Sequence, residues 1–333
     1  MKSVYAASLA VALSLAGAAG ALAQPPAPPV PVILDTDIGD DIDDTWALAY
    51  LLRSPELDLR MVVTDYGDTV YRARVTARLL EVAGRTDVPI GIGTRQAEGG
   101  GRQSAWVEGY ELSDYPGTVH QDGVQAMIDA ILASDEPLTV IAIGPAPNLP
   151  EALERAPEIA ERARFVGMYG SVRLGYGGSP APEAEWNVRA APAAVRAILA
   201  APWQVTLTPL DTCGLLELTG DHYAAVRDSR DPLARAVIEN YRLWLPHVDW
   251  LPDQPDLPDR KSTTLFDVVA VQLAFDESLL EIEEIGLRVT DAGMTVEDPG
   301  APRARCALRW RDMGALQALI AERLTAGSGA RAR

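Results

Sequence analysis

The chain has 333 residues, of which 48% are hydrophobic and 23% are charged, a composition typical of soluble globular proteins. Its formal net charge of −18 at pH 7 argues against nucleic acid and anionic membranes as principal partners, because both would be repelled. The charge fits a small neutral ligand or a cation.

The first 23 residues have the pattern of a secretory signal peptide. Lys2 supplies the positive start, residues 4–16 are largely apolar, and Ala21 and Ala23 form an A-x-A cleavage site. A membrane anchor is the alternative, but the apolar run is short for a spanning helix. We therefore expect an exported protein, periplasmic or secreted, with no membrane attachment after the signal is removed. A Pro-rich linker at 24–31 would follow.

An acidic turn follows the first predicted strand. Residues 32–34 read as the end of a buried parallel strand and residues 46–52 as a helix. The acids between them therefore lie at the carboxyl end of a strand, where open α/β sheets bind ligands. The six carboxylates are Asp35, Asp37, Asp40, Asp41, Asp43 and Asp44.

Six like charges between two buried elements repel one another unless a positive charge lies among them. The chain has only two lysines, Lys2 and Lys261, so a local ammonium group is not expected there. A hard divalent cation, Ca²⁺ or Mg²⁺, prefers oxygen ligands and would supply the charge. The spacing is not that of an EF-hand. The alternative is a solvated loop in which Asp43 or Asp44 caps the helix.

Strands and helices alternate along the rest of the chain, which predicts an α/β fold with a doubly wound, mostly parallel open sheet. We expect a single domain over 32–325, with a flexible tail at 326–333. The predicted strands are 59–63, 88–92, 138–143, 165–168 and 204–208, and the predicted helices are 71–83, 124–133, 150–155, 193–200 and 268–275. Residues 281–309 predict a few antiparallel edge strands, closed by a helix at 312–324.

The acidic run DTDIGDDIDD resembles the N-terminal signature of the inosine–uridine-preferring nucleoside hydrolase family, in a longer form with two extra residues after Gly39. GPAPN at 144–148 is similar to the family's GPLTN, and EWN at 185–187 to its E-[FW]-N. The resemblance spans residues 32–275. It implies hydrolysis of the N-glycosidic bond of ribonucleosides to ribose and free base, through an oxocarbenium-like transition state. It also implies purine or pyrimidine salvage and a homo-oligomer.

The resemblance further implies a Ca²⁺ site. Its ligands would be Asp37, Asp44, Asp267 and the backbone carbonyl of Pro147, with Asp41 as a further candidate. The cation would acidify the attacking water, and Asp37 would be the catalytic base that deprotonates it.

The same resemblance assigns the sugar contacts and the residues that support the site. Asp43 would accept a hydrogen bond from the ribose 2-hydroxyl, Asp68 would reach the ribose hydroxyls or the water, and Glu185 and Asn187 would bind the outer hydroxyls. His120 and Trp186 are further candidates. Asp35 and Asn148 would order the turns beneath the metal. A turn residue (Asp68) and helix caps (His120, Asn148) are the structural alternatives.

Phe266 departs from the family, which often has a histidine here to protonate the departing base. Leaving-group activation must therefore come from elsewhere, or the substrate is not an ordinary nucleoside. A same-fold hydrolase of another glycoside and a non-catalytic calcium- and sugar-binding protein both stay open. The sequence also leaves open whether Cys213 and Cys306 form a disulfide.

Overall fold

The computed structural model describes residues 28–251 and 254–327. The predicted signal peptide, residues 24–27 of the predicted linker and residues 328–333 of the predicted tail lie outside these ranges. Within them the linker is shorter than expected. Val30 and Pro31 already pair with β2, opposite Leu57 and Asp58, so the first strand begins at Val30.

Ten strands of the described residues form one sheet, in the order β4-β3-β2-β1-β5-β6-β7-β10-β8-β9. All neighbours from β4 to β10 are parallel, whereas β8 is antiparallel to both β10 and β9. This confirms the mostly parallel sheet with antiparallel strands near the C-terminus. The strands are β1 Val30–Thr36, β2 Leu57–Thr64, β3 Ile90–Ile92, β4 Val119–His120, β5 Leu138–Ala142, β6 Ala163–Met168, β7 Val205–Thr208, β8 Leu280–Val289, β9 Thr295–Glu297 and β10 Arg303–Trp310.

Helices cover both faces of the sheet, which explains why the central strands are continuous apolar runs. In β1, Val32 and Leu34 belong to one hydrophobic core and Ile33 to the other, and all three are fully buried. The helices are α1 Asp43–Leu52, α2 Thr69–Val82, α3 Gly123–Ala133, α4 Asn148–Arg155, α5 Ile159–Arg162, α6 Trp186–Ala190, α7 Pro192–Ala200, α8 Gly220–Arg227, α9 Pro232–Trp244, α10 Leu257–Arg260, α11 Phe266–Leu273 and α12 Met313–Thr325. Within 28–251 and 254–327, no helix combines the length and the apolar character needed to cross a membrane.

The two cysteines are separate, buried free thiols. Cys213 packs in the core on one face of the sheet and Cys306 in the core on the other face. The sheet between the two cores keeps the thiols apart, so the disulfide that the sequence left open is absent.

Candidate active site

A cavity of about 640 Å³ opens at the carboxyl end of β1, where the acidic turn leads into α1. Most residues that the sequence assigned to metal, catalysis or sugar line this cavity. They are Asp37, Asp41, Asp43, Asp44, Glu185, Trp186, Asn187 and Asp267. The topology therefore brings the acids that follow β1 together with residues up to 230 positions further along the chain.

Three buried carboxylates form the floor of the cavity. Asp43 and Asp44 lie in the first turn of α1 and Asp267 in the first turn of α11, and one carboxylate oxygen of each lies within 4.8 Å of the others. The Thr36 hydroxyl donates to Asp44 Oδ1 at 2.5 Å. The amino ends of two helices face this cluster and favour negative charge there. Neither Asp43 nor Asp44 is a helix cap, because the N-cap residue of α1 is Ile42.

The cluster fits a hard metal ion. Burial, and then the charges of neighbouring aspartates, raise the pKa of Asp43, Asp44 and Asp267 well above its ordinary value. A divalent cation would compensate this repulsion, and carboxylate oxygens are the ligands that Ca²⁺ and Mg²⁺ prefer. These three residues can therefore hold a metal ion.

Asp37 lines the same cavity but lies beside this three-carboxylate group, next to a buried arginine. Burial raises the pKa of Asp37 well above its ordinary value, and the positive charge of Arg72 opposes the rise. Arg72 Nη2 lies 4.0 Å from Asp37 Oδ2, and Nη1 donates to the Asp37 backbone carbonyl. Arg72 of α2 thus supplies part of the positive charge that the acidic turn requires. Counting lysines alone missed this residue.

A second buried pair of acids supports the turn. Asp35 Oδ2 accepts a hydrogen bond from Asn148 Nδ2 at 2.7 Å, and the carboxyl groups of Asp35 and Asp65 interact with each other. Burial raises the pKa of Asp35 to about 6 and the pKa of Asp65 well above its ordinary value. Asp65 Oδ2 also accepts from the amide of Ala146, which has a positive φ of 54°. This pair ties the end of β1 to the loops after β2 and β5, and sequence reasoning did not single out Asp65.

Gly144 allows these loops to approach closely, and we expect Gly144→Ala to be destabilising. A Cβ at this position would lie 2.5 Å from Asp65 Oδ1 and 2.8 Å from Asp37 Oδ1. We expect a loss of about 1–3 kcal/mol in the free energy of unfolding, measured by urea denaturation, because the packed carboxylates must move. Gly300→Ala is the control, since its Cβ meets nothing closer than 3.5 Å. Equal stability of the two variants would show that the turn tolerates the displacement.

Pro147, whose carbonyl the sequence assigned to the metal, is not among the residues that line the cavity, and that assignment stays a prediction. Pro147 is the N-cap residue of α4. Asn148 is therefore the first residue of α4 and not its cap. The residue from this loop that lines the cavity is Ile143, directly after β5, whose carbonyl accepts from Asn187 Nδ2 at 3.0 Å.

Glu185 and Asn187 form one wall of the cavity, between β6 and β7. Glu185 caps α6 by accepting from the amides of Asn187 and Val188, at 2.7 and 3.2 Å, and burial raises its pKa to about 7. Asn187 Nδ2 donates to the carbonyls of Ile143 and Met168, which leaves Oδ1 available to a ligand. Trp186 lies at the rim with 41% of its surface exposed.

Asp68 and His120 are not brought to the cavity. Asp68 caps α2 by accepting from the Tyr71 amide at 3.1 Å, and it also pairs with Arg95. His120 lies in β4, the outermost strand on its side of the sheet and three strands away from β1. Neither residue is among those that line the cavity, and the sugar contact expected of Asp68 and the role considered for His120 stay predictions.

The sequence profile of the inosine-uridine preferring nucleoside hydrolase family matches residues 32–321. Over 226 residues the chain is 30% identical to the non-specific ribonucleoside hydrolase RihC of Klebsiella pneumoniae, covering 64% of this chain and 72% of that protein. Over 228 residues it is 29% identical to the pyrimidine-specific ribonucleoside hydrolase RihA of an Enterobacter species, covering 63% and 69%.

Solved structures agree on the fold. The chain superposes on a plant nucleoside hydrolase with a TM-score of 0.72 at 23% identity, covering 90% of this chain and all of that one. A purine-preferring ribonucleoside hydrolase from Gardnerella vaginalis gives a TM-score of 0.69 at 24% identity, covering 90% and 99%.

Proposed function

Because the chain belongs to the inosine-uridine preferring nucleoside hydrolase family and is a hydrolase of N-glycosyl compounds, we propose that it cleaves ribonucleosides to ribose and free base with the help of Ca²⁺. The observation that carries this proposal is the buried group of Asp43, Asp44 and Asp267 beside Asp37 in one cavity. We also propose that the protein is exported, on the strength of its N-terminal sequence, and that it acts in nucleoside salvage, on the strength of its family.

The metal ligands in this proposal are Asp37, Asp44 and Asp267, with Asp43 in the same carboxylate group and Asp41 still a candidate. A backbone ligand, if the ion takes one, is the carbonyl of Pro147, as the sequence predicts, or that of Ile143. A bound Ca²⁺ would acidify a water and orient the ribose hydroxyls. The carboxylate oxygens present are chemically suited to this ion.

The protein's own residues would perform the remaining steps. Asp37, which lines the cavity beside the carboxylate group, accepts the proton of the attacking water. Asp43 accepts a hydrogen bond from the ribose 2-hydroxyl. The free Oδ1 of Asn187 accepts a hydrogen bond from an outer hydroxyl of the ribose. Glu185 holds Asn187 in place by accepting a hydrogen bond from the Asn187 backbone amide.

One observation favours a second candidate, hydrolysis of another glycoside. Phe266 lines the cavity and packs edge-on against Tyr176, with ring centroids 6.0 Å apart. Phe266 cannot protonate a departing base as a histidine would, and a glycoside with a better leaving group would not need that proton.

The test is ribose release from inosine, uridine, adenosine and cytidine, measured as reducing sugar with added Ca²⁺ and with a chelator. We expect chelator-sensitive release from at least one nucleoside. No release from any of the four, while Ca²⁺ still raises the melting temperature, would contradict nucleoside hydrolysis and favour another glycoside. Calcium-dependent binding of a nucleoside without release would instead indicate a binding protein.

A further inference from the structure

The cavity offers no histidine to a departing base. None of the three histidines, His120, His222 and His247, is among its lining residues in the described ranges. A nucleobase leaves with the electron pair of the N-glycosidic bond, so some other group must stabilise the negative charge that develops on it.

The sheet order indicates which end of the cavity receives the base. In a ribose ring, C1 and C4 lie at opposite ends, with the 2- and 3-hydroxyls between them. The proposed function puts these hydroxyls on the acids after β1 and the outer hydroxyl on Asn187, which follows β6. The base on C1 therefore points the other way, towards the loop that follows β3.

Arg102 lies in that loop and lines the cavity. Its Nη1 donates to the Asp40 backbone carbonyl at 3.0 Å and to the Asp40 carboxylate. Its guanidinium also lies 4.6 Å from the ring centre of Trp250, which is 49% exposed. Trp244 Nε1 donates to the same Asp40 carbonyl at 2.8 Å and packs edge-on against Trp250.

The bonds to Asp40 use only one nitrogen of the guanidinium. Within the residues that the structure describes, Nε and Nη2 of Arg102 make no hydrogen bond. The planar guanidinium is thus fixed by Asp40 on one side and by Trp250 on its face, with donors to spare. This gives a role to Asp40, one of the two residues in the acidic turn that the family signature does not account for.

We propose that Arg102 is a catalytic residue that stabilises the departing base by hydrogen bonds from its free guanidinium nitrogens, and that Asp40 is the residue that positions it. This rests on the proposed function. As the C1–N bond breaks, its electron pair passes to the base nitrogen while the water oxygen bonds to C1 and the water proton passes to Asp37. The base leaves as an anion held by Arg102 and then takes a proton from solvent.

The chemistry of arginine determines the class of leaving group. A guanidinium stays protonated, so it stabilises an anion without giving up a proton. The base must therefore carry an acceptor, a ring nitrogen or a carbonyl oxygen, that receives the N–H groups. Trp250, half-exposed beside this guanidinium, offers an aromatic ring next to which a flat heterocycle can pack.

The test compares two leaving groups in Arg102→Gln. On the nucleoside that the protein cleaves fastest, we expect kcat to fall by about 10²–10³, the usual cost of losing a donor to developing negative charge. On 4-nitrophenyl riboside, whose aglycone leaves as a stable phenolate anion, we expect little change in kcat. Equal losses on both substrates would overturn the proposal and indicate a structural role, and no loss on the nucleoside would also overturn it.

Arg189→Gln is the matched control. Arg189 also lines the cavity and lies over a tryptophan, 5.1 Å from the ring centre of Trp186, but at the sugar end. The Arg189→Gln substitution should change kcat on both substrates by the same factor, because it only alters the charge of the cavity. Asp40→Asn should lower activity less than Arg102→Gln does. This loss should again be confined to nucleosides and should appear in kcat more than in KM.

Two further results separate this inference from the proposed function. A Ca²⁺-induced rise in melting temperature that persists in Arg102→Gln would show that the acidic site is intact. If the unmodified protein cleaves nitrophenyl riboside but no nucleoside, Arg102 does not assist nitrogen leaving groups and the inference fails while the hydrolase stands. If it cleaves neither riboside, the proposed function itself fails.

Discussion

Replacing Asp37 with asparagine is expected to lower kcat for ribonucleosides by about 10²–10⁴, the usual contribution of a positioned general base. Asparagine keeps the size of the side chain and its contact with Arg72, but it cannot accept the proton of the attacking water. The fold should persist, because burial already favours the uncharged form of this carboxyl. The measurement is steady-state ribose release together with thermal unfolding of the same preparation.

Asp122→Asn is the matched control for this variant. Asp122 is an exposed cap of α3 that pairs with Arg155 and does not line the cavity. Its activity should equal that of the unmodified protein. If Asp37→Asn retained more than a tenth of the activity, Asp37 would not be the base. A lost response of the melting temperature to Ca²⁺ would assign Asp37 to the metal as well.

Removing the metal is expected to abolish activity and to make stability fall with rising pH. In the metal-free protein, burial raises the pKa of Asp43, Asp44 and Asp267 above the unfolded value. Between the unfolded and folded pKa values the folded state binds more protons than the unfolded state. The free energy of unfolding therefore falls as pH rises through this window.

Bound Ca²⁺ should reverse this trend, because it requires the deprotonated carboxylates. The rise in melting temperature on adding Ca²⁺ to chelated protein should thus be larger at pH 8 than at pH 5. Calorimetry at both pH values measures it, and Asp267→Asn should reduce the rise at pH 8. A chelator without effect on activity or on melting temperature at pH 8 would exclude a functional metal at this site.

Much of the fold could be predicted from the sequence, because it depends on local patterns. Runs such as residues 32–34 are apolar at every position, which is what a strand covered on both faces requires. The acidic turn was equally readable, since six aspartates beside a buried strand leave few alternatives to a cation. The positions of Asp37, Asp44 and Asp267 around one cavity followed from their motifs.

Other assignments needed the tertiary structure, because they depend on neighbours that are distant in sequence. Arg72 and Asp65 are ordinary residues in the sequence, and only the approach of the loops after β1, β2 and β5 makes them partners of the acids. Pro147 and Ile143 are four residues apart, yet only Ile143 lies where β5 ends at the cavity.

The sequence by itself therefore determined most of the strands and helices and the acidic turn, since each follows from the order of residues within one segment. The tertiary structure decided which segments meet. In the folded chain His120 lies in the outer strand β4, and the sheet separates Cys213 from Cys306. Arg102 lies beside Asp40. The physical reason is that burial, pairing and pKa depend on contacts across the sheet, and the order of its strands is not the order of the chain.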